Sequence, residues 1–338
     1  MNSFYQHNTD GDWIQNIYVS NTRRKFSRIC LSLVLCTFVT YASVFILQFI
    51  VLALGGGETL ATNIYWQWAL SLLPLYLFGM PAAYIFLRKV EASPPKESKM
   101  EIGELLLLFL IGRFVTQVGS YISVFLISLT ENVFKITIAD TTSALIEQTP
   151  VWLVFLAAVV IAPIAEEFVY RKLIIDRLHV HGEKVAILFS SLIFSLVHGN
   201  FFQVFYAFLN GCILGFIYTR TGRLRYTIAF HMATNFLGSI VVLPIMDAQK
   251  KLEALLSAGE MGMEYMSLSL SIAGYSIAKM ALAILGAVIL FVNRRKYLPS
   301  RYALQPIPQD RTLRIVFLNP GFIAFGIMSI MEFALSLL

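Results

Sequence analysis

Long apolar runs broken by short polar stretches organise this chain. Mostly apolar segments occupy residues 29–54, 64–87, 102–129, 150–170, 185–199, 203–219, 227–246, 267–292 and 315–338. Several exceed the ~18 residues that mark a membrane-crossing helix, and none shows the alternation of a transmembrane barrel. The pattern predicts an all-α, polytopic transmembrane helical bundle of about eight to nine segments.

Two segments fit this picture badly. Residues 185–199 and 203–219 reach only ~22–25 Å at 1.5 Å per residue, against a hydrocarbon core of about 30 Å. They are expected to form a short hairpin that turns inside the protein near His198, Gly199 and Asn200, with His198 deep in the molecule. Residues 150–178 read as one long helix, with Glu166 near its middle. The chain divides on this basis into a polar amino terminus (1–28), amino-terminal transmembrane helices (29–149), a core (150–246) and carboxy-terminal transmembrane helices (247–338).

Composition sharpens the class. The 338 residues are 57% hydrophobic and 14% charged, with mean hydropathy +0.71, outside the usual soluble range. The first apolar run, from about Ile29, is long enough to span, so no removable signal peptide is read. A net charge of +6 raises nucleic acid as a partner, but the basic residues cluster beside the spans. Arg23, Arg24, Lys25 and Arg28 precede the first run, and later basic-rich loops alternate with loops 55–63, 130–149 and 247–266, which carry only Lys135, Lys250 and Lys251. Every basic-rich loop then falls on the side of the amino terminus, which the positive-inside rule makes cytoplasmic. No nucleic-acid partner is expected, and a bacterial cell membrane is the expected location. Cys30, Cys36 and Cys212 lie inside apolar runs without metal-type spacing and read as small buried hydrophobes. Gly211 and Gly215 make a small-xxx-small stripe of the kind that brings helices close.

Against this apolar background, three fragments carry ionisable groups that cost about 2.5–3.5 kcal/mol each at mid-bilayer unless they meet one another or a polar space. They are EEFVYR (Glu166, Glu167, Arg171), FSLVH (Phe194, His198) and HMATN (His231, Asn235). Glu167 and Arg171 are spaced four apart in the order that favours a helical ion pair. Glu166 points about 100° away, which leaves it as the candidate catalytic carboxylate. His231 and Asn235 share a helical face, where an imidazole and an amide can together donate to a developing oxyanion. Ser190, Ser191 and Ser195 lie near His198, but neither a G-x-S-x-G elbow nor S-x-x-K accompanies them. The H-E-x-x-H zinc motif is absent as well. A water activated by Glu166 and His198 is the simplest hydrolytic scheme. Arg113, inside LIGRFVTQ with Gln117 four residues on, needs an internal partner, for which Glu167 is a candidate. Pro163 is expected to bend its helix or free a carbonyl.

In this order and on these segments, the three motifs resemble the CAAX-protease and bacteriocin-processing family, which includes the eukaryotic Ras-converting endopeptidase and the bacterial Abi-type proteins. The family pattern EExxxR, FxxxH, HxxxN is met without departure over residues 150–245. The resemblance implies an intramembrane endopeptidase whose helices surround a cavity open to the cytosol. It acts on a membrane-associated substrate, prenylated at a CAAX box in the eukaryotic relatives. By motif position, Glu166 matches the catalytic glutamate and His198 its partner on water. His231 and Asn235 match the oxyanion-stabilising pair, and Glu167 and Arg171 the supporting pair. No cofactor is expected; the alternative is Zn²⁺ held by Glu166, His198 and His231. Two other functions compete with the protease, a non-catalytic bacteriocin-immunity or scaffold protein and an ion-coupled transporter.

Overall fold

A computed structural model describes residues 2–337, with side chains described from 13 to 337 except at 59 and 61. Among the described residues there is no strand. The principal helices are α1 (Asn2–Ala53), α2 (Ile64–Leu87), α3 (Ile102–Phe134), α4 (Val151–His181), α5 (Glu183–Leu196), α6 (Val204–Thr221), α7 (Leu224–Ala258), α8 (Met263–Val292) and α9 (Pro320–Leu335).

The all-α polytopic expectation holds, but the number of spans is lower. Among the described residues, six helices are long and apolar enough to cross a membrane, or seven if the bent pair Gln309–Val316 and Pro320–Leu335 is one span. The difference lies in α5 and α6, the two segments too short for the hydrocarbon core. Their apolar character comes from burial in protein: Ala186, Ile187, Phe189, Ile193 and Phe194 of α5, and Leu214, Phe216, Ile217 and Tyr218 of α6, are all buried. Hydropathy alone does not separate a helix buried in protein from one buried in lipid. The spans bury only 11–28% of their apolar windows, as lipid-facing helices should.

The chain forms two compact units. One comprises residues 1–94, 176–182 and 302–334. Within it, Asn63 caps α2 by accepting from the Tyr65 and Trp66 amides. The LNPGF stretch breaks the chain by 56° before α9. Asn319 Oδ1 accepts from the Phe322 amide at 2.9 Å while its amide donates to the Ile315 and Val316 carbonyls. Pro320 then occupies the first helical position, where its missing N–H costs nothing.

The second unit, residues 95–175, 183–301 and 335–338, holds every motif residue. Its core gathers Leu108 and Ile111 of α3, Ile187 of α5, Leu214, Phe216 and Ile217 of α6, and Phe230 of α7. α5 and α6 form the expected hairpin. A β-carbon at Gly211 would stand 3.1 Å from Ser191, and one at Gly215 would stand 3.3 Å from Ile187, so the stripe sets the spacing of these two helices. Between them Gly199 takes φ +62°, a left-handed conformation open to glycine at little cost. Asn200 fixes the turn, accepting from the Gln203 amide and donating to the His198 carbonyl. Glu183 ties the outer ends of the hairpin by accepting from the Thr219 hydroxyl, Arg220 and the Ser300 amide.

Candidate active site

The acidic pair stands near the middle of α4, on a single α-helical turn, Ala162–Glu167, between two π-helical stretches, Phe155–Ile161 and Phe168–Ile175. Such wider turns recur at functional sites because they rotate the following side chains out of the simple helical register. Glu167 and Arg171 are both fully buried, with Arg171 Nε donating to Glu167 Oε2 at 3.0 Å. Arg171 Nη2 reaches Glu167 Oε1 at 3.4 Å. The third arm of the guanidinium, Nη1, donates to Ser190 Oγ at 3.0 Å, and that hydroxyl donates onward to the Tyr170 carbonyl at 2.7 Å. Ser190 therefore serves the arginine. Ser191 and Ser195 donate to the carbonyls of Ile187 and Leu192 within their own helix.

His231 bridges the two acids. Its Nδ1 lies 2.9 Å from Glu167 Oε1, and its Nε2 lies 3.7 Å from Glu166 Oε2. The Glu167 carboxylate accepts only, so Nδ1 carries the proton. Nε2 then presents a lone pair when the ring is neutral and a second N–H when it is charged. Exposure separates the two carboxylates: the Glu166 side chain is 25% accessible and that of Glu167 0%. The acid with solvent access is the one that lacks an arginine.

His198 is half-buried at the end of the hairpin. Its Nδ1 donates to the Phe194 carbonyl at 2.7 Å, since a carbonyl can only accept, and its Nε2 is left as the basic nitrogen. The Phe194 ring sits between the histidines, edge-on to His198 at 5.0 Å and to His231 at 5.8 Å, with the Arg171 guanidinium 5.2 Å from its centroid. This aromatic wedge separates the imidazoles and shields the buried ion pair.

Asn235 owes its place to Pro163. In the π register the Ala162 amide bonds to the Ala157 carbonyl. The next donor in sequence is Pro163, which has no N–H, so the Ala158 carbonyl has no helical partner. Asn235 Nδ2 donates to it at 2.9 Å, linking α7 to α4. The proline thus frees a carbonyl, as the sequence suggested, and the asparagine takes it up. One amide hydrogen is spent there and one remains.

Arg113 departs from expectation. Glu167 is already engaged by Arg171 and His231, and Arg113 instead donates to Thr234 Oγ1 at 3.1 Å and lies 4.9 Å from the Phe109 ring centroid. Spacing on one helix cannot reveal a partner on another. The supporting contacts of Ser190 and Ala158 likewise join different helices, which spacing along one helix does not encode.

The Zn²⁺ alternative requires Glu166, His198 and His231 to converge. Among the described residues no three His, Cys, Asp or Glu side chains are gathered closely enough to hold one metal ion.

Residues 148–237 match the model of the type II CAAX prenyl endopeptidase Rce1-like family. The chain is also 29% identical, over 195 residues, to the membrane-embedded CAAX protease MroQ of Staphylococcus aureus (strain USA300), an alignment covering 54% of this chain and 76% of the relative. No solved structure matches. The matched segment contains all seven motif residues.

Proposed function

Since the chain belongs to the CAAX-protease family through this core, we propose that it is an intramembrane endopeptidase that hydrolyses a peptide bond of a membrane-associated substrate with water activated by Glu166 and His198. It acts from the cytoplasmic leaflet of a bacterial cell membrane, with its amino terminus inside. The observation that carries the reading is the division of labour between adjacent acids. Glu167 is saturated by Arg171 and His231, whereas Glu166 is accessible and faces His231 Nε2 at 3.7 Å.

Glu166 takes a proton from water as the water oxygen attacks the scissile carbonyl carbon. His198 orients that water by accepting its other hydrogen at Nε2, because the Phe194 carbonyl holds the ring's proton on Nδ1. The tetrahedral oxyanion is met by the second amide hydrogen of Asn235 and by His231 Nε2–H. His231 stands between the two carboxylates, Nδ1 2.9 Å from Glu167 Oε1 and Nε2 3.7 Å from Glu166 Oε2, and donates at Nε2 as the imidazolium. Glu166 then passes its proton to the leaving amine as the C–N bond breaks. Two donors aimed at developing charge in a site of low dielectric are a large catalytic term.

The test is cleavage of lipidated and unlipidated fluorogenic peptides by the purified protein in lipid, with wild type, Glu166→Ala and His198→Ala, each with and without a zinc chelator. Loss in both variants with activity kept in chelator supports the scheme. Loss of wild-type activity in chelator refutes the metal-free form. A folded wild type that cleaves none of the panel refutes endoproteolysis of such peptides and favours a binding role.

A further inference from the structure

Two charges of opposite sign stand alone in apolar helices. Glu332 of α9 is the one charged residue between 315 and 338, and Lys279 of α8 is the one between 267 and 292. In the first unit the Tyr41 hydroxyl donates to both Glu332 carboxylate oxygens, at 2.7 and 2.8 Å. Tyr41 lies at the centre of the apolar run 29–54, so the carboxylate it holds stands near mid-bilayer depth. No Lys or Arg occurs from 29 to 87 or from 315 to 338, and among the described residues the polar partner of Glu332 is Tyr41 alone. In the second unit Lys279 is exposed at the centre of its own run, on a helix that buries only 11% of its apolar window. The charged group that acts on it is another cation, Arg113. An ionised group at this depth is costly unless it meets an opposite charge, and neither unit supplies one.

The surfaces around the two charges differ in relief. On α1, Phe38, Tyr41, Phe45 and Phe49 are 54–70% exposed. They recur every three or four residues, so they form one ridge along the helix. Gln48, two turns beyond Tyr41 on the same face, is exposed as well. On α8 the exposed residues Ser267, Ser271, Gly274, Ala278 and Ala281 recur at the same interval and make a shallow groove. A β-carbon at Gly274 would meet nothing within 4 Å. Lys279 borders this groove, next to Ala278. Small residues let another helix come close in a membrane, and a ridge of large side chains fills such a groove.

We propose that copies of this chain associate in the membrane, the α1 ridge of one seated in the α8 groove of the next and Glu332 paired with the partner's Lys279. Charge selects this occupant. Packing the α1–α9 face on its own copy sets Glu332 against Glu332, and packing α8 on α8 sets Lys279 against Lys279. The heterologous contact is the one that offsets both charges. Each charge stands at the middle of its apolar run, so the two meet at one depth. Tyr41 occupies one lone pair on each oxygen and leaves the others to accept from the ammonium. The contact uses none of the motif residues, so it stands apart from the hydrolytic reading.

The experiment follows self-association of the full chain in phosphatidylcholine vesicles. Protein labelled at the amino terminus with a donor or an acceptor fluorophore is mixed, and energy transfer is read as lipid is added. Wild type should transfer above the level set by chance encounter. Lys279→Met and Glu332→Gln should each raise the dissociation constant about tenfold or more, a difference of about 1.4 kcal/mol. The double variant should be no weaker than either single, because the two residues act on each other. Charge reversal gives the sharper reading. Lys279→Glu and Glu332→Lys should each fail to self-associate, whereas a mixture of the two should recover transfer, since each then meets its opposite across the contact. Circular dichroism first establishes that the reversed variants fold; where one does not, the neutral variants and their double decide. Wild-type transfer at the chance level overturns the proposal and directs the two charges to a different membrane protein. Neutral variants that associate as wild type does, or folded reversed variants that do not complement each other, overturn it as well.

Discussion

The buried ion pair of α4 joins Glu167 to Arg171, and Glu167→Gln tests how strongly the two are coupled. At a separation of 3.0 Å and an effective dielectric of about 20, the attraction is worth about 5 kcal/mol. Both partners are fully buried, so much of this is offset by desolvation while both are present. Removing one charge leaves the other stranded, which typically costs about 3–5 kcal/mol. The amide adds a second fault. The carboxylate accepts on both oxygens, from Arg171 Nε at Oε2 and from His231 and Arg171 Nη2 at Oε1. A glutamine has one oxygen, so its NH₂ must face an N–H. The expected cost of Glu167→Gln is therefore about 3–5 kcal/mol, with a similar figure for Arg171→Met. The double variant should fall short of their sum by about 1–3 kcal/mol, because neither charge is then stranded. The assay is reversible unfolding in mixed micelles followed by circular dichroism. A cost under about 1 kcal/mol for either single change, or additivity within about 0.5 kcal/mol, refutes the account of a tightly coupled buried pair.

Three other changes separate chemistry from support. Asn235→Ala should lower kcat about 10²–10³-fold through loss of an oxyanion donor. It should also destabilise the protein by about 1–3 kcal/mol because the Ala158 carbonyl loses its donor; peptide kinetics and micelle unfolding read the two effects separately. Ser190→Ala strands Arg171 Nη1 and the Tyr170 carbonyl, so a stability loss of about 1–3 kcal/mol is expected in the same unfolding assay. Because Ser190 is no nucleophile, residual activity of the folded variant should remain well above that of Glu166→Ala. Gly199→Val forces a β-branched residue to φ +62° at a cost of roughly 1–3 kcal/mol and displaces His198. Measured kcat should therefore fall while the affinity for a bound peptide changes little.

What could be read from the sequence followed the reach of each signal. A helical period of 3.6 carries local geometry, so the Glu167–Arg171 pair, the opposite aim of Glu166 and the shared face of His231 and Asn235 were all legible from spacing. The cost of ionisable groups in lipid carried one step further and gathered the three motifs into one neighbourhood before any contact was known. Partner choice between helices was out of reach. Glu167 could have taken Arg113 or Arg171 by charge alone, and only packing decided for Arg171, leaving Arg113 against Thr234. Span number was obscured for a related reason, because α5 and α6 are apolar toward protein rather than lipid. The consequence of Pro163 lies between these cases. Its missing N–H was visible in the sequence, but the freed carbonyl became informative only once α7 brought Asn235 to Ala158. Within the motifs, each buried polar group of the Glu167–Arg171–Ser190 network meets a partner from this chain.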